Sequence, residues 1–279
     1  MARTLAFLGP SGTYTEEAAL LYDPTADLRP YPNISAVGQA VAADETDQGV
    51  APIENSIEGS VNFTLDLLVS ENSLYISHEI VIPIEHYLMG QPGTRLEEVQ
   101  VVYSHPQALA QCRDYLERNF TNAVRSASLS TAQAVGDAMS SEAPAAAIAP
   151  RRSAALYNAE ILASGIQDVA ANATRFVVLS KADHEPTGND KTSLFFTFAE
   201  DLPGQLYAVM GEFARREINL AKIESRPTKQ SLGQYVFFID CDGHRRDPLM
   251  SEAIEAIRGK VSLLRVLGSY PKWAESRAA

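Results

Sequence analysis

Gly49-Val50-Ala51-Pro52-Ile53-Glu54-Asn55-Ser56 carries an apolar run straight into a carboxylate, an amide and a hydroxyl. A short apolar run of this kind reads as a strand covered on both faces. Polar side chains at the carboxyl end of such a strand stand where ligands of open α/β sheets bind. The chain around it agrees up to about Lys181. Residues 5–8, 99–103, 145–149 and 176–179 are further strand candidates, and 14–22, 61–69, 106–118 and 131–139 are helix candidates. Their alternation predicts an α/β domain with mainly parallel strands. Ile80, Ile82 and Ile84 alternate with Val81, Pro83 and Glu85. Pro83 cannot donate a ladder bond, so that strand belongs at an edge or at a crossing between two lobes.

The 279 residues carry a formal charge of -12, with 46% hydrophobic and 21% charged residues. This composition fits about two globular domains. It also argues against a nucleic-acid partner, because no basic stripe is present to meet phosphates. Cys112 and Cys241 stand far apart without a CxxC or Cys/His cluster, which fits a reducing compartment and predicts no metal site. No run approaches the ~18 apolar residues of a membrane span, and the stretch from Met1 to Gly9 lacks the basic head and cleavage site of an export signal. A cytoplasmic protein without a membrane partner is expected. No glycine-rich dinucleotide fingerprint occurs, and no cofactor is expected.

Residues 182–191 are polar, contain Pro186 and Gly188 and break both periodicities, which marks a linker. The pattern then changes. A strand over 192–198 is followed by Leu206, Val209, Met210 and Phe213 at the spacing of one buried helix face. Strands over 220–225 and 235–239, a second helical set at Met250, Ala253, Ile254 and Ile257, and a strand over 261–267 complete a βαββαβ order. That order predicts a ferredoxin-like fold with two helices over one face of an antiparallel sheet. The bare face or an edge is expected to pair with another copy, giving a homodimer or homotetramer.

Three helix starts read as capping boxes: Thr13 with Glu16, Ser104 with Gln107, and Ser130 with Gln133. Helix starts present free N–H groups and a positive dipole end, so three in one domain suit a small dicarboxylate. Asn172-Ala173-Thr174-Arg175-Phe176 enters the last strand of this domain with an amide, a hydroxyl and a guanidinium. Taken singly, each of these features is explained by capping, by a turn in which Asn55 and Ser56 satisfy local backbone, or by a surface ion pair.

Gly9-Pro10-Ser11-Gly12-Thr13-Tyr14, Pro52 to Ser56, Ser104-His105-Pro106-Gln107 with Gln111-Cys112, and Thr174-Arg175-Phe176 follow one another in an order and spacing that resembles prephenate dehydratases. The resemblance covers residues 1–181. It implies an α/β catalytic domain similar to type II periplasmic binding proteins, with lobes 1–78 plus 158–181 and 79–157 and the active site in the cleft. The implied reaction turns prephenate into phenylpyruvate, carbon dioxide and water. Thr174 is the implied donor to the departing hydroxyl, with Glu54, Asn55, Ser104 and Gln111 as catalytic neighbours. Glu54 serves as a proton source if burial raises its pKa. Ser11, Thr13, Tyr14, Ser56, Asn172 and Arg175 are expected to bind substrate, the planar fork of Arg175 suiting a carboxylate, and Phe176 to pack beneath them. His105, beside a cap, reads as structural.

In residues 192–279, Ile223-Glu224-Ser225-Arg226-Pro227 resembles the Glu-Ser-Arg-Pro motif of the ACT domains fused to these enzymes, where phenylalanine binds between paired domains. The implied effector residues are Asp201, Pro203, Gly204, Leu206, Asn219, Leu220, Glu224, Ser225, Arg226 and Pro227. Where the family often has Gly-Ala-Leu-Val, this chain has Gly204-Gln205-Leu206-Tyr207, which leaves sole specificity for phenylalanine open. An arogenate dehydratase and a non-catalytic sensor of aromatic metabolites are the other readings of these residues. No stretch resembling a chorismate mutase precedes residue 1, so a single activity is expected.

Overall fold

Short apolar runs alternate with capped helices from the start of the chain, and a computed structural model, which describes residues 2–229 and 233–274, shows what they build. Strands β1 (Thr4–Leu8), β2 (Asp27–Tyr31) and β3 (Gln48–Asn55) run parallel, linked by helices α1 (Tyr14–Tyr22) and α2 (Ile34–Ala42). The short strand β4 (Gly59–Ser60) turns back on Glu54 and Asn55, and α3 (Asn62–Ser70) follows. β5 (Tyr75–Pro83) takes the edge of this sheet, the position that Pro83 requires.

A second sheet contains β6 (Tyr87–Gly90), β7 (Val101–Ser104), β8 (Val124–Ala127), β9 (Ala145–Ala149) and β10 (Glu160–Ala163), in the order β10-β6-β9-β7-β8. Helices α4 (Pro106–Gln111), α5 (Arg113–Asn119), α6 (Thr131–Met139) and α7 (Arg151–Tyr157) alternate with its strands. Alanine makes close packing possible here: Ala134 and Ala138 of α6 lie in one core with Ala145, Ala147 and Ala149 of β9, all of them buried. Two expectations need correction. The helix over 106–118 breaks at Cys112, whose φ of -116° and ψ of 21° end α4 and start α5, so Gln111 becomes a terminal residue. Residues 158–181 do not return as one piece, because β10 pairs with β6 in the second sheet and only β11 (Ala173–Ser180) joins the first, between β3 and β5.

The chain therefore crosses between the sheets twice, after Pro83 and before Ala173. The crossings are bonded to each other: Ile84 N–H donates to Asn172 O at 2.8 Å, and Ile166 N–H to His86 O at 3.1 Å. His86 N–H also donates to Gln167 Oε1 at 2.9 Å. Two α/β lobes joined by paired crossings are the layout expected of type II periplasmic binding proteins.

By compactness the chain separates into residues 1–67 with 80–176, and 68–79 with 177–279. In the second unit, β12 (Asp190–Thr197), α8 (Gln205–Ala214), β13 (Leu220–Pro227), β14 (Tyr235–Asp242), α9 (Pro248–Arg258) and β15 (Leu263–Pro271) give the βαββαβ order, with an antiparallel sheet ordered β13-β14-β12-β15. Leu194, Phe196, Ile239 and Cys241 pack against Val209 and Phe213 of α8 and Met250, Ile254 and Ile257 of α9. Residues 68–79 of the same chain meet this sheet, so the bare face expected from the sequence is not bare. Lys191 Nζ binds both Glu79 oxygens, at 2.9 and 2.7 Å. The Arg265 guanidinium donates to the carbonyls of Leu68, Glu71 and Leu74 at 2.8 Å each, closing the end of α3. Within 182–191, Asp183 pairs with Arg245 at 2.9 Å, and His184 N–H donates to Ser269 O at 3.0 Å. Among the described residues no helix is long and apolar enough to cross a membrane.

β15 crosses β5 without room for a side chain. A Cβ added at Gly268 would lie 2.1 Å from Ile76 O, and backbone cannot swing aside. Gly268→Ala is expected to lower the unfolding free energy by about 3 kcal/mol in a denaturant titration; an unchanged midpoint would show that the two strands separate without cost.

Candidate functional site

Two peptide N–H groups set the polarity of the site. Asn55, the last residue of β3, accepts at Oδ1 from Ile57 N–H (3.0 Å) and Glu58 N–H (3.1 Å). A peptide N–H can only donate, so the opposite end of this amide is its NH2. Asn55 Nδ2 donates to Thr174 Oγ1 at 2.8 Å and to Asn172 Oδ1 at 2.9 Å. Asn172 is thereby oriented in turn, and its Nδ2 donates to Gln111 Oε1 at 3.2 Å. The amide chain thus runs from the first sheet, through a crossing, to the end of α4. Asn55, Asn172 and Thr174 are all buried. A hydroxyl has one proton and two lone pairs, so Thr174, already accepting from Asn55, keeps its proton for another acceptor. Ser56 supports the corner: its Oγ accepts from Ala173 N–H at 2.9 Å.

His86 joins the same network. Its Nε2 lies 2.9 Å from Gln111 Oε1, and its Nδ1 lies 3.1 Å from the Tyr14 hydroxyl, which donates to Glu85 O at 2.7 Å. Burial pushes the imidazole toward its neutral form against the pull of the Gln111 bond. Burial, helped by Glu17, raises the Tyr14 phenol well above its ordinary value. Sequence reasoning does not single out His86; the available signal is a histidine two residues after the apolar run Ile80 to Ile84, beyond Glu85.

Several expected site residues are placed elsewhere. Glu54 Oε2 lies 3.0 Å from Arg175 Nη2. Successive strand residues face opposite sides, so this pair leaves the sheet on the side away from Asn55 and Thr174. Glu54 keeps 35% of its side chain exposed, and one nitrogen of the Arg175 fork is taken by this protein carboxylate. Thr13 caps α1 by accepting from Glu16 N–H (3.4 Å), and its own proton goes to Leu8 O (3.3 Å). Ser104 is no cap. It ends β7, fully buried, with Oγ donating to Ile148 O at 2.7 Å, and His105 Nδ1 caps α4 by accepting from Gln107 N–H at 3.3 Å. Pro106 at the first helical position moves the cap one residue past Ser104. Ser130 does cap α6, at 3.0 Å from Gln133 N, but the Gln133 side chain turns to Asp137. Phe176 is buried core.

Glu16 returns no bond to Thr13 either. Its carboxylate accepts from Gly12 N–H at 2.9 Å and pairs with Arg152 of α7, while Ser153 Oγ donates to Gly12 O at 2.8 Å. Ser11 also lowers the Glu16 pKa, as the smallest of these influences. These contacts tie the loop before α1 to α7.

Of the expected effector residues, Asp201 and Pro203 stand on an exposed loop, and Gly204, at φ +87°, leads into α8. Gln205 Oε1 accepts from Leu202 N–H at 3.2 Å, so the departure at this position closes the loop. Tyr207 is 82% exposed, while Leu206 packs against the helix-side core. Asn219 donates to Asp242 at 3.3 Å, and Glu224 pairs with Lys222 at 3.3 Å on the edge strand β13.

A family profile described as prephenate dehydratase matches residues 5–184, and one described as ACT domain matches residues 192–259. A bifunctional chorismate mutase/prephenate dehydratase of Aquifex aeolicus is 44% identical over 269 residues, 96% of this chain and 73% of that one. A prephenate dehydratase of Methanocaldococcus jannaschii is 37% identical over 279 residues, 97% of this chain and 99% of that one. Among solved structures, prephenate dehydratase from Arthrobacter aurescens in complex with L-Phe superposes with a TM-score of 0.89 at 38% identity, covering 96% of this chain and 90% of that one.

Burial raises the Glu16 pKa, but hydrogen bonds from Arg152 and Gly12 outweigh it and leave the net value lowered. A carboxyl with a folded value below its unfolded one contributes stability that is fully present above the ordinary carboxylate range and lost as pH falls through the lowered value. Glu16→Gln is therefore expected to melt below the parent at pH 7, by a margin that narrows as pH falls below the ordinary carboxylate range. Equal melting temperatures at pH 7 would show that the Arg152 contact adds nothing.

Proposed function

Since the chain belongs to the prephenate dehydratase family, with an ACT domain behind the catalytic part, we propose that its Asn55–Thr174 pair delivers the hydrogen bond that lets the ring hydroxyl of prephenate leave. The enzyme converts prephenate to phenylpyruvate, carbon dioxide and water, and it is regulated by phenylalanine through the ACT domain.

Prephenate holds the driving force itself. When the bond from ring to carboxylate breaks, its electron pair moves through the ring and expels the hydroxyl opposite, leaving an aromatic ring. The protein has to stabilise the departing oxygen, a step to which a positioned donor contributes about 10²–10⁴-fold. The observation that carries the proposal is the fixed polarity at Thr174, whose Oγ1 receives Asn55 Nδ2 at 2.8 Å and so offers its proton outward. A hydroxyl that accepts one hydrogen bond donates a stronger one. Asn172, Gln111, Ser56 and Tyr14 supply neutral polar groups around it. Ser11 and Thr13 act at one remove, by holding the loop before α1.

Residues 1–181 perform the chemistry, 182–191 connect, and 192–279 sense. Phenylalanine is held between paired domains by the start of α8, at Asp201, Pro203, Gly204 and Leu206, together with Asn219, Leu220 and Glu224 to Pro227. The exposed edge strand β13 supports pairing into a homodimer or a homotetramer. The composition and cysteine usage support a cytoplasmic enzyme. Regulation requires phenylalanine to favour one arrangement of the paired domains, since equal affinity for both shifts nothing.

Thr174→Ala is expected to lower kcat for phenylpyruvate formation by about 10²–10⁴-fold with unchanged unfolding, and Thr174→Ser to recover most of it. Near-normal turnover by the alanine variant would remove Thr174 from this role. The same assay with arogenate compares the two substrates. Calorimetry is expected to detect phenylalanine binding, and the absence of both binding and kinetic effect at about millimolar ligand, a Kd worth only some 4 kcal/mol, would end the sensing claim.

A further inference from the structure

The amide chain that starts at Asn55 has a consequence at its far end. Asn172 Nδ2 donates to Gln111 Oε1, and the same oxygen lies 2.9 Å from His86 Nε2. Gln111 Oε1 can only accept, so His86 Nε2 must carry a proton. Turning the Gln111 amide over would set its NH2 against the NH2 of Asn172, donor against donor. With its oxygen held by two donors, the Gln111 side chain directs Nε2 the other way, where this nitrogen is buried and has no hydrogen-bond partner among the described residues. Leaving such a donor unsatisfied costs about 1–3 kcal/mol. A ligand oxygen would remove that cost.

His86 is itself held through its backbone. Its N–H and C=O are bound by Gln167 and Ile166 of the other crossing, and its Nδ1 lies 3.1 Å from the Tyr14 hydroxyl. Tyr14 and His86 meet edge to face, with ring centroids 5.9 Å apart. Resting on the reading of this cleft as the prephenate site, we propose that His86 is a positioning residue: it fixes the Gln111 amide so that Gln111 Nε2 is presented as a hydrogen-bond donor to the substrate. It does so from a crossing strand and without touching the reacting ring.

The side chain of glutamine reaches about as far as the Nε2 of histidine, and that of asparagine only as far as Nδ1. His86→Asn is expected to lower kcat/KM for prephenate about 10–100-fold, the range seen when the supporting partner of a site ligand is removed. His86→Gln is expected to stay within about 5-fold of the parent, since it can restore the donor to Gln111. Because His86 acts only through Gln111, the double variant His86→Asn with Gln111→Ala is expected to be no worse than Gln111→Ala alone. Additive losses, or equal losses in the asparagine and glutamine variants, would overturn the proposal. Should the asparagine variant not fold, nitrogen NMR of the parent decides it: a protonated His86 Nε2 supports the assignment and an unprotonated one overturns it. A parent without turnover of prephenate would instead defeat the reading of the cleft, so the two failures are distinct.

Discussion

The site rests on the two hydrogen bonds that Ile57 and Glu58 make to Asn55 Oδ1. Side-chain amides are ambiguous in isolation, since either end can be turned toward a neighbour. A peptide N–H is not, and once it fixes one amide the next must follow. Asn172, Thr174 and Gln111 inherit their roles as donor or acceptor from that one turn of backbone. The turn forms because β4 brings the chain back beside Glu54 and Asn55 directly after β3 ends. A local hairpin therefore determines which way protons point in residues more than a hundred positions away along the chain.

The hydrogen-bonded network around Thr174 is itself built of uncharged side chains, Asn55, Asn172 and Gln111. Two charged groups beside it in sequence are paired within the protein, Glu54 with Arg175 and Glu16 with Arg152. Both pairs are only partly withdrawn from solvent, Glu54 at 35% and Arg152 at 36% side-chain exposure, and they stand beside a network built of uncharged amides and hydroxyls. Neutral donors already oriented by their neighbours need little rearrangement when charge moves during the reaction.

Much of the fold is legible in the residues. The alanine run of β9 and the Thr13-capped helix α1 carry strong local signals, and both lie where the pattern puts them. β2 escapes because Asp27-Leu28-Arg29-Pro30-Tyr31 is a mostly exposed edge strand with no apolar alternation. β10 escapes for a similar reason, being half exposed at the other sheet's edge. In the site, Asn55, Thr174, Asn172 and Gln111 are legible from residue type and motif. The roles of Glu54 and Arg175 are not, because the face on which a strand residue emerges depends on register. His86 stays hidden for a simpler reason: its partners lie 72 and 25 residues away, and no local pattern joins them.

Cys112, at the break between α4 and α5, is fully buried, and burial pushes its thiol up to about 12; Cys241 is buried and shifted upward as well. Thiolate is the reactive species, so both native sulfurs stay silent toward maleimides and mild peroxide while the fold is intact. A cysteine introduced at a solvent-facing position would then be the single dye-attachment point on the chain, and loss of that selectivity would report opening of the fold around Cys112 or Cys241.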